Sequence, residues 1–159
     1  MRNSDFRAFN HGVKELYNAA VKNLEKSEFF IDPYYDEYDN IDDNIAEKLL
    51  DSEGYDPRKL FICGTECLDI FGAEAILSEK FLCKMADKLE EDYYILMEGV
   101  RDVYILPCSA VNRQTGLENL SEHMRDAVYE KDAFFHGIFR YYKKDGKLRM
   151  ISKKSIYAR

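Results

Sequence analysis

The sequence has no tryptophan and few prolines or histidines, and it contains no apolar run long enough to cross a lipid bilayer. Its N-terminus lacks the charged segment and apolar run of a secretion signal. Phosphate-binding loops, glycine-rich dinucleotide motifs and the G-x-S-x-G nucleophile motif are missing as well. These absences argue against a membrane protein, an exported protein and several familiar enzyme classes. We therefore predict a non-enzymatic protein with no catalytic residues and no cofactor.

Cysteine is scarce, and its spacing does not favour a metal site. Cys63 and Cys67 are three residues apart, but no second pair of Cys or His stands at zinc-like spacing. Ile70 occupies the position where an iron–sulfur pattern would continue with cysteine. Buried free cysteines behave as small apolar residues, and reduced thiols are typical of the cytoplasm. We expect a cytoplasmic protein whose thiols are structural.

Positive charge is scarce over much of the chain, which carries a net charge of −7. Nucleic acids and anionic lipids attract basic proteins, so this balance argues against either as a general partner. Between Glu28 and Glu53 the only basic side chain is Lys48, whereas basic residues dominate after residue 140. The basic C-terminal stretch is typical of a solvated strand face, which we favour over a nucleic-acid site.

The 159 residues suit one domain of ordinary size, and 46% of them are hydrophobic. Apolar periodicity and turn signals predict a single α+β domain over residues 1–159, with about four helices and a mixed sheet of about six strands. An Asp-Gly pair at residues 145–146 and a Gly-containing link at residues 98–102 each predict a hairpin. The predicted helices span residues 4–26, 39–50, 70–90 and 117–129, and the predicted strands span residues 29–32, 59–63, 93–97, 103–106, 138–142 and 147–151.

Three blocks of sequence resemble those of a bacterial family known only as a domain of unknown function. Residues 31–38, IDPYYDEY, are similar to the family's YLN-x-YY-x-x-Y block, and residues 72–82 are similar to its GAAxxLYPxxL helix. Residues 94–107 are similar to its strand pair, YILPSSxHEVxLLP. Here residues 97–102, MEGVRD, replace the polar Pro-Ser-Ser-x-His-Glu of the family. The resemblance supports the fold and implies no activity.

The segment EFFIDPYYDEYDNIDDN, residues 28–44, combines aromatic rings with carboxylates. Tyrosine anchors many protein interfaces, and surrounding charge selects the partner. An alternative is that some of the rings pack on the first helix while the acids face water. We predict a protein-contact surface for a partner that is preferably basic, formed by Tyr34, Tyr35, Glu37, Tyr38, Arg101 and Asp102.

Two other function classes remain open. An acidic protein can inhibit a nucleic-acid-binding protein by mimicking nucleic acid, as antagonists from phages or mobile elements do, if its carboxylates cover one continuous face. A metal-dependent hydrolase or nuclease would instead need at least two acids to converge in a pocket. The candidate acids for the second class are Asp32, Asp36, Asp39 and Asp102.

Overall fold

The structure is a computed structural model that describes residues 12–34, 43–65, 72–98, 103–127 and 136–152. The helices of this part of the chain are α1 (Val13–Leu24), α2 (Asp43–Glu53), α3 (Glu79–Leu89) and α4 (Gln114–Ala127). The strands are β1 (Phe29–Pro33), β2 (Phe61–Thr65), β3 (Tyr93–Glu98), β4 (Val103–Pro107), β5 (His136–Tyr142) and β6 (Lys147–Ser152). The predicted α+β class is confirmed, and the described residues contain six strands and four α-helices.

The six strands form one sheet in the order β1-β2-β4-β3-β5-β6, and every pair of neighbours is antiparallel. The prediction of a mixed sheet was wrong in this respect. Two connections that contain a helix, β2-α3-β3 and β4-α4-β5, do join strands that run in the same direction. In each case an antiparallel strand lies between the two, so the parallel strands never pair.

Both faces of the sheet are covered, as the nearly continuous apolar runs of β3 and β4 predict. Side chains alternate along each strand, so one face packs under α3 and the other under α4. The α3 face includes Ile95, Met97, Val103 and Ile105, which contact Phe81, Leu82 and Met85 of α3. The α4 face includes Leu96, Tyr104 and Leu106, which pack with Leu117 and Leu120 of α4.

The helix predicted over residues 70–90 is interrupted at Ser78. Residues Gly72–Leu77 form a 3-10 helix, and the α-helix begins at Glu79. Ser78 has an extended backbone, and its buried hydroxyl accepts a hydrogen bond from the backbone N–H of Phe81 at 3.2 Å. The two helix types place apolar residues at similar spacings, so one apolar stripe can run through both.

Other predicted boundaries differ by a few residues. The first half of the helix predicted over residues 4–26 lies outside the described residues, and the rest ends at Leu24. The strand predicted over residues 59–63 begins at Phe61, because Pro57–Lys59 forms a 3-10 turn capped by Asp56. None of the described helices is long and apolar enough to span a bilayer.

Candidate interaction surfaces

The structure places one member of the predicted contact set, Tyr34, at the end of β1. Its backbone N–H donates to the carbonyl of Leu60 at 2.9 Å. Its half-buried ring meets the ring of Tyr104 edge-on, with the centroids 5.4 Å apart. Tyr34 is therefore anchored on the α4 face and contributes part of its ring to packing against Tyr104 of β4, whereas the alternative considered for the tyrosines was packing on the first helix.

The other five members of the set, Tyr35, Glu37, Tyr38, Arg101 and Asp102, lie outside the described residues.

Two described elements near Tyr34 are nevertheless acidic. Helix α2 contacts the 3-10 turn that leads to Leu60, the backbone partner of Tyr34. We use the name acidic sector for the exposed carboxylates of α2 and β1 and the one just before β1, which are Glu28, Asp32, Glu47, Asp51 and Glu53.

The C-terminus of helix α2 is held by side chains from the start of α4. Asn112 donates from Nδ2 to the carbonyl of Leu50 at 2.6 Å, and Asn119 donates from Nδ2 to the carbonyl of Glu53 at 3.1 Å. The Arg113 guanidinium also donates to the carbonyl of Asp51. These bonds supply donors to carbonyls that a helix leaves without partners at its end. They fix one side of the acidic sector relative to the sheet.

A second charged surface lies on the same face of the sheet, over β3, β5 and β6. The strand pairing sets Tyr94 beside Arg140, and Arg140 beside Arg149. The Arg140 guanidinium carbon lies 5.6 Å from the ring centre of Tyr94 and 4.8 Å from that of Tyr142, and the Arg149 guanidinium carbon lies 4.8 Å from Tyr142. Such contacts attract a cation to the face of an aromatic ring. We call these four residues the arginine–tyrosine stack.

Asp92 orients the inner arginine of this stack. Its Oδ2 accepts a hydrogen bond from Arg140 at 2.8 Å, and its Oδ1 accepts one from the backbone N–H of Lys143 at 3.0 Å. Burial acts to raise the pKa of Asp92, but these two bonds outweigh it and lower the pKa. The bond to Asp92 raises the pKa of Arg140. Arg149 pairs more loosely with Asp145, at 3.6 Å, with both side chains about half exposed. The stack therefore has a fixed inner cation and an accessible outer one.

A cluster of thiols and phenols lies on the opposite, α3 face. The rings of Tyr93 and Tyr141 stack with their centroids 5.2 Å apart, and the Tyr141 hydroxyl lies 3.2 Å from Sγ of Cys83. The Tyr93 hydroxyl donates to the carbonyl of Leu82. Burial raises the pKa of Cys63 to about 12, and burial together with the bond to Cys83 raises the pKa of Tyr141 to about 12. The Cys63 thiol and the Tyr141 phenol are therefore neutral near pH 7, which suits packing better than nucleophilic chemistry.

The described residues contain no group of three or more His, Cys, Asp or Glu side chains that could hold a metal ion. Of the acids considered for a hydrolase, Asp32 is exposed on β1, while Asp36, Asp39 and Asp102 lie outside the described part of the chain. Cys63, Cys83 and Cys108 are free thiols, as predicted, and Cys67 is not described.

Comparison with models of protein families assigns the chain to a family. The model of a family of unknown function, DUF5688, matches residues 1–143. The chain belongs to this family. No curated protein and no solved structure matches the chain. The expected membership in a family of unknown function is confirmed, whereas the three sequence blocks stay untested. The DUF5688 match ends before β6, so it includes Tyr94, Arg140 and Tyr142 of the stack but not Arg149.

The arginine–tyrosine stack was missed in the sequence because its members belong to three strands. The basic composition of residues 140–149 was visible, but it predicted only a solvated strand face. The pairing of Tyr94 with Arg140 depends on β3 lying between β4 and β5. Only the order of strands in the sheet reveals the stack.

Proposed function

We propose that this protein is a non-enzymatic protein-interaction module that presents an acidic, tyrosine-rich surface to a basic protein partner. The observation that carries the proposal is the position of Tyr34. It is fixed against Tyr104 at the end of β1, and its backbone bonds to Leu60, which follows the 3-10 turn that α2 contacts. The chain continues from this fixed point directly into the proposed contact residues Tyr35, Glu37 and Tyr38.

The chemistry of this region suits recognition. Tyrosine offers a large ring with a polar tip and loses little conformational entropy on binding, so it often supplies much of an interface's energy. Carboxylates around the rings attract a basic partner and repel an acidic one. Arg101 and Asp102, which stand in the link between β3 and β4, complete the proposed contact set. Val103, which follows them, is level with Cys63 and Ile31, so the described residues that flank this link lie toward the Phe29 end of β1 and not at Tyr34.

The proposal is tested by affinity capture from the native host followed by quantitative mass spectrometry. The test variant combines Tyr35→Ser, Glu37→Gln and Tyr38→Ser, and leaves the anchored Tyr34 in place. The control variant carries Glu79→Gln and Asp87→Asn, two exposed positions on α3. We expect a basic partner to bind the wild type and the control, and to lose at least about tenfold in enrichment with the test variant.

Added salt should weaken the same complex, since the proposed attraction is electrostatic. Circular dichroism shows whether the test variant is folded. If a folded test variant retains every partner of the wild type, the tyrosine-rich surface is not the contact site.

The other function classes gain less support from the described residues. A mimic of nucleic acid needs a continuous acidic face, but Glu79 and Asp87 on α3 alternate with Lys80, Lys84 and Lys88. A metal-dependent hydrolase needs converging acids, and Asp32 points to solvent from the edge strand β1. A cytoplasmic location remains part of our proposal and is supported by the free thiols of Cys63, Cys83 and Cys108.

A further inference from the structure

The two edges of the sheet carry opposite charge. Among the described strands, β1 and β6 each have a neighbour on one side only. An edge strand presents unpaired backbone N–H and C=O groups with which another strand can pair. Adjacent strands are about 4.8 Å apart, so the two edges of one molecule are separated by roughly 24 Å. They can meet only if they belong to different molecules.

Strand β6 is basic on one face and apolar on the other. Arg149 belongs to the arginine–tyrosine stack on the α4 face, and alternation places Lys147 on the same face. Leu148 packs into the core of the α3 face, and Met150 pairs with Phe139 of that core. Met150 is 46% exposed. An edge strand that prevents pairing with other strands usually carries charged residues and not an exposed apolar side chain.

Strand β1 has the complementary pattern. Phe29 and Ile31 are half-buried on the α3 face, so the alternate residues Phe30 and Asp32 belong to the α4 face. Asp32 is exposed, and so is Glu28 immediately before the strand. This edge therefore combines acidic residues and an aromatic ring with apolar residues that are not fully buried.

We propose that β6 of one molecule pairs with β1 of a second copy and joins the two sheets edge to edge. A translated second copy presents β1 antiparallel to β6 and keeps the α3 and α4 faces on their own sides, because the six strands alternate in direction. In one antiparallel register, the opposed side chains are complementary in every central pair. These pairs are Lys147 with Asp32, Leu148 with Ile31, Arg149 with Phe30, and Met150 with Phe29.

The contacts in this register are of known kinds. Lys147 and Asp32 form a cross-strand ion pair, and Arg149 lies over an aromatic ring as it does within its own molecule. Sulfur of Met150 contacts the Phe29 ring, which is a favourable pairing for methionine. The assembly is head-to-tail, so it forms rings or open chains rather than a symmetric pair. It does not depend on the tyrosine-rich surface proposed above.

The decisive experiment exchanges the charges of the two edges and measures mass by analytical ultracentrifugation over a range of concentrations. One variant carries Glu28→Lys and Asp32→Lys, so both of its edges are basic. The other carries Lys147→Glu and Arg149→Glu, so both of its edges are acidic. We expect the wild type to associate increasingly with concentration, and each variant alone to associate at least about tenfold more weakly. An equal mixture of the two variants should associate again, because each basic edge then meets an acidic one.

Charge changes elsewhere provide the matched control. Glu79→Lys and Lys88→Glu reverse exposed charges on α3, outside both edge strands, and should leave association unchanged. The variant with Tyr35→Ser, Glu37→Gln and Tyr38→Ser should also associate like the wild type, which separates this inference from the proposed function. A wild type that remains monomeric at every concentration, or a mixture no heavier than its components, overturns the proposal.

Disulfide trapping tests the register independently of charge. Residues opposite one another in an antiparallel pair are close enough for a disulfide, whereas the two edges of one molecule are too far apart. In a background with the native cysteines replaced by serine, we expect a mixture of Asp32→Cys and Lys147→Cys proteins to form covalent dimers on mild oxidation. A mixture of Asp32→Cys and Lys88→Cys proteins should not. Equal crosslinking of the two mixtures contradicts the pairing of β6 with β1.

Discussion

Gly54 and Gly116 lie in backbone contact where the end of α2 meets the start of α4. A Cβ atom on Gly116 would stand 2.2 Å from the carbonyl oxygen of Gly54, so a side chain there must displace backbone. Gly54 also has a φ of +88°, a conformation that favours glycine. The two glycines therefore bring the helices close enough for the bonds from Asn112 and Asn119 to form.

Gly116→Ala is predicted to lower the free energy of unfolding by about 1–3 kcal/mol, the usual cost of forcing atoms into a packed site. Alanine is otherwise better than glycine in a helix by about 1 kcal/mol, so any loss reflects the clash. Urea denaturation measures the effect. The exposed neighbour Thr115 offers a control, because Thr115→Ala adds no atoms and should not destabilise the protein. A Gly116→Ala protein as stable as the wild type would show that the two helices are farther apart.

Asp56 is a buried carboxylate whose negative charge is balanced by Arg58, two residues further along the chain. It accepts hydrogen bonds from the backbone N–H and the guanidinium of Arg58, at 2.9–3.1 Å. Burial acts to raise the pKa of Asp56, but hydrogen bonds and the positive charge of Arg58 outweigh it and lower the pKa below its ordinary value of 3.8. Asp56 also accepts the Arg58 N–H as the cap of the 3-10 turn that precedes β2.

Asp56→Asn is predicted to destabilise the protein at pH 7 by about 1–3 kcal/mol, because a charged hydrogen-bond partner is lost. A lowered pKa in the folded state contributes stability above the unfolded pKa, and that contribution disappears as pH falls through the folded pKa. The difference between the wild type and Asp56→Asn should therefore shrink below pH of about 4. Urea titrations at several pH values measure it, with the exposed Asp51→Asn as a control. A difference that is unchanged at low pH would contradict a role for the Asp56 charge.

The sequence predicted the surroundings of a residue when they depended on its neighbours in the chain. It did not predict contacts with residues on distant strands. Burial of Cys63 followed from its apolar neighbours in sequence, and the turn at Gly146 followed from the Asp-Gly pair. Packing of some tyrosines was considered only against the first helix, and the anchoring of Tyr34 on Tyr104 was not predicted, because it depends on a ring from a distant strand. The contacts of Tyr94, Arg140 and Arg149 in the arginine–tyrosine stack were not predicted, because they depend on the order of the strands in the sheet.

At the scale of elements, periodicity predicted the existence of helices and strands better than their ends. The ends depend on capping groups, and Ser78 is the clearest case. It is buried, and its hydroxyl satisfies one of the N–H groups that the first turn of α3 leaves without a partner. Because serine is also tolerated inside helices, the apolar stripe alone does not reveal that Ser78 ends one helix and begins another.

Ser78→Ala is predicted to reduce the free energy of unfolding by about 0.5–2 kcal/mol, through loss of the cap and a buried acceptor. Urea denaturation again measures the change. Ser27→Ala is a matched control, since the Ser27 hydroxyl is exposed and makes only a long bond of 3.5 Å to the carbonyl of Asn23. Equal effects of the two substitutions would mean that Ser78 is not acting as the cap of α3.

At the scale of the whole molecule, the sheet order is the feature that the sequence could not supply. Both hairpins were predicted from their turns, but their relative placement was not. The pairing of β3 with β5 places the second hairpin against the first and moves β6 to an edge opposite β1. The sequence shows that negative charge is concentrated around β1 and positive charge around β6. The order of the strands places these two charges at opposite edges of the sheet.

The packing of α3 over the sheet also determines which thiols can react before the protein unfolds. Cys63 is buried in β2 beneath α3, with its pKa raised by burial to about 12, whereas Cys83 is exposed on α3 itself. A thiol reagent reacts with an accessible thiolate, so Cys63 can react only when β2 is exposed. Exposing Cys63 on β2 requires the core on the α3 face to separate, which is a large opening of the molecule.

In a variant carrying Cys67→Ser and Cys108→Ser, iodoacetamide at pH 8 is predicted to modify Cys83 rapidly and Cys63 only through unfolding. Mass spectrometry of the peptides that contain each cysteine gives the two rates in the same sample. With increasing urea, the rate at Cys63 should rise steeply, following the unfolded fraction measured by circular dichroism, whereas the rate at Cys83 should change little. Similar rates at the two thiols without urea would contradict the burial of β2. A Cys63 rate that rises well before global unfolding would instead show that β2 and α3 separate as a local unit.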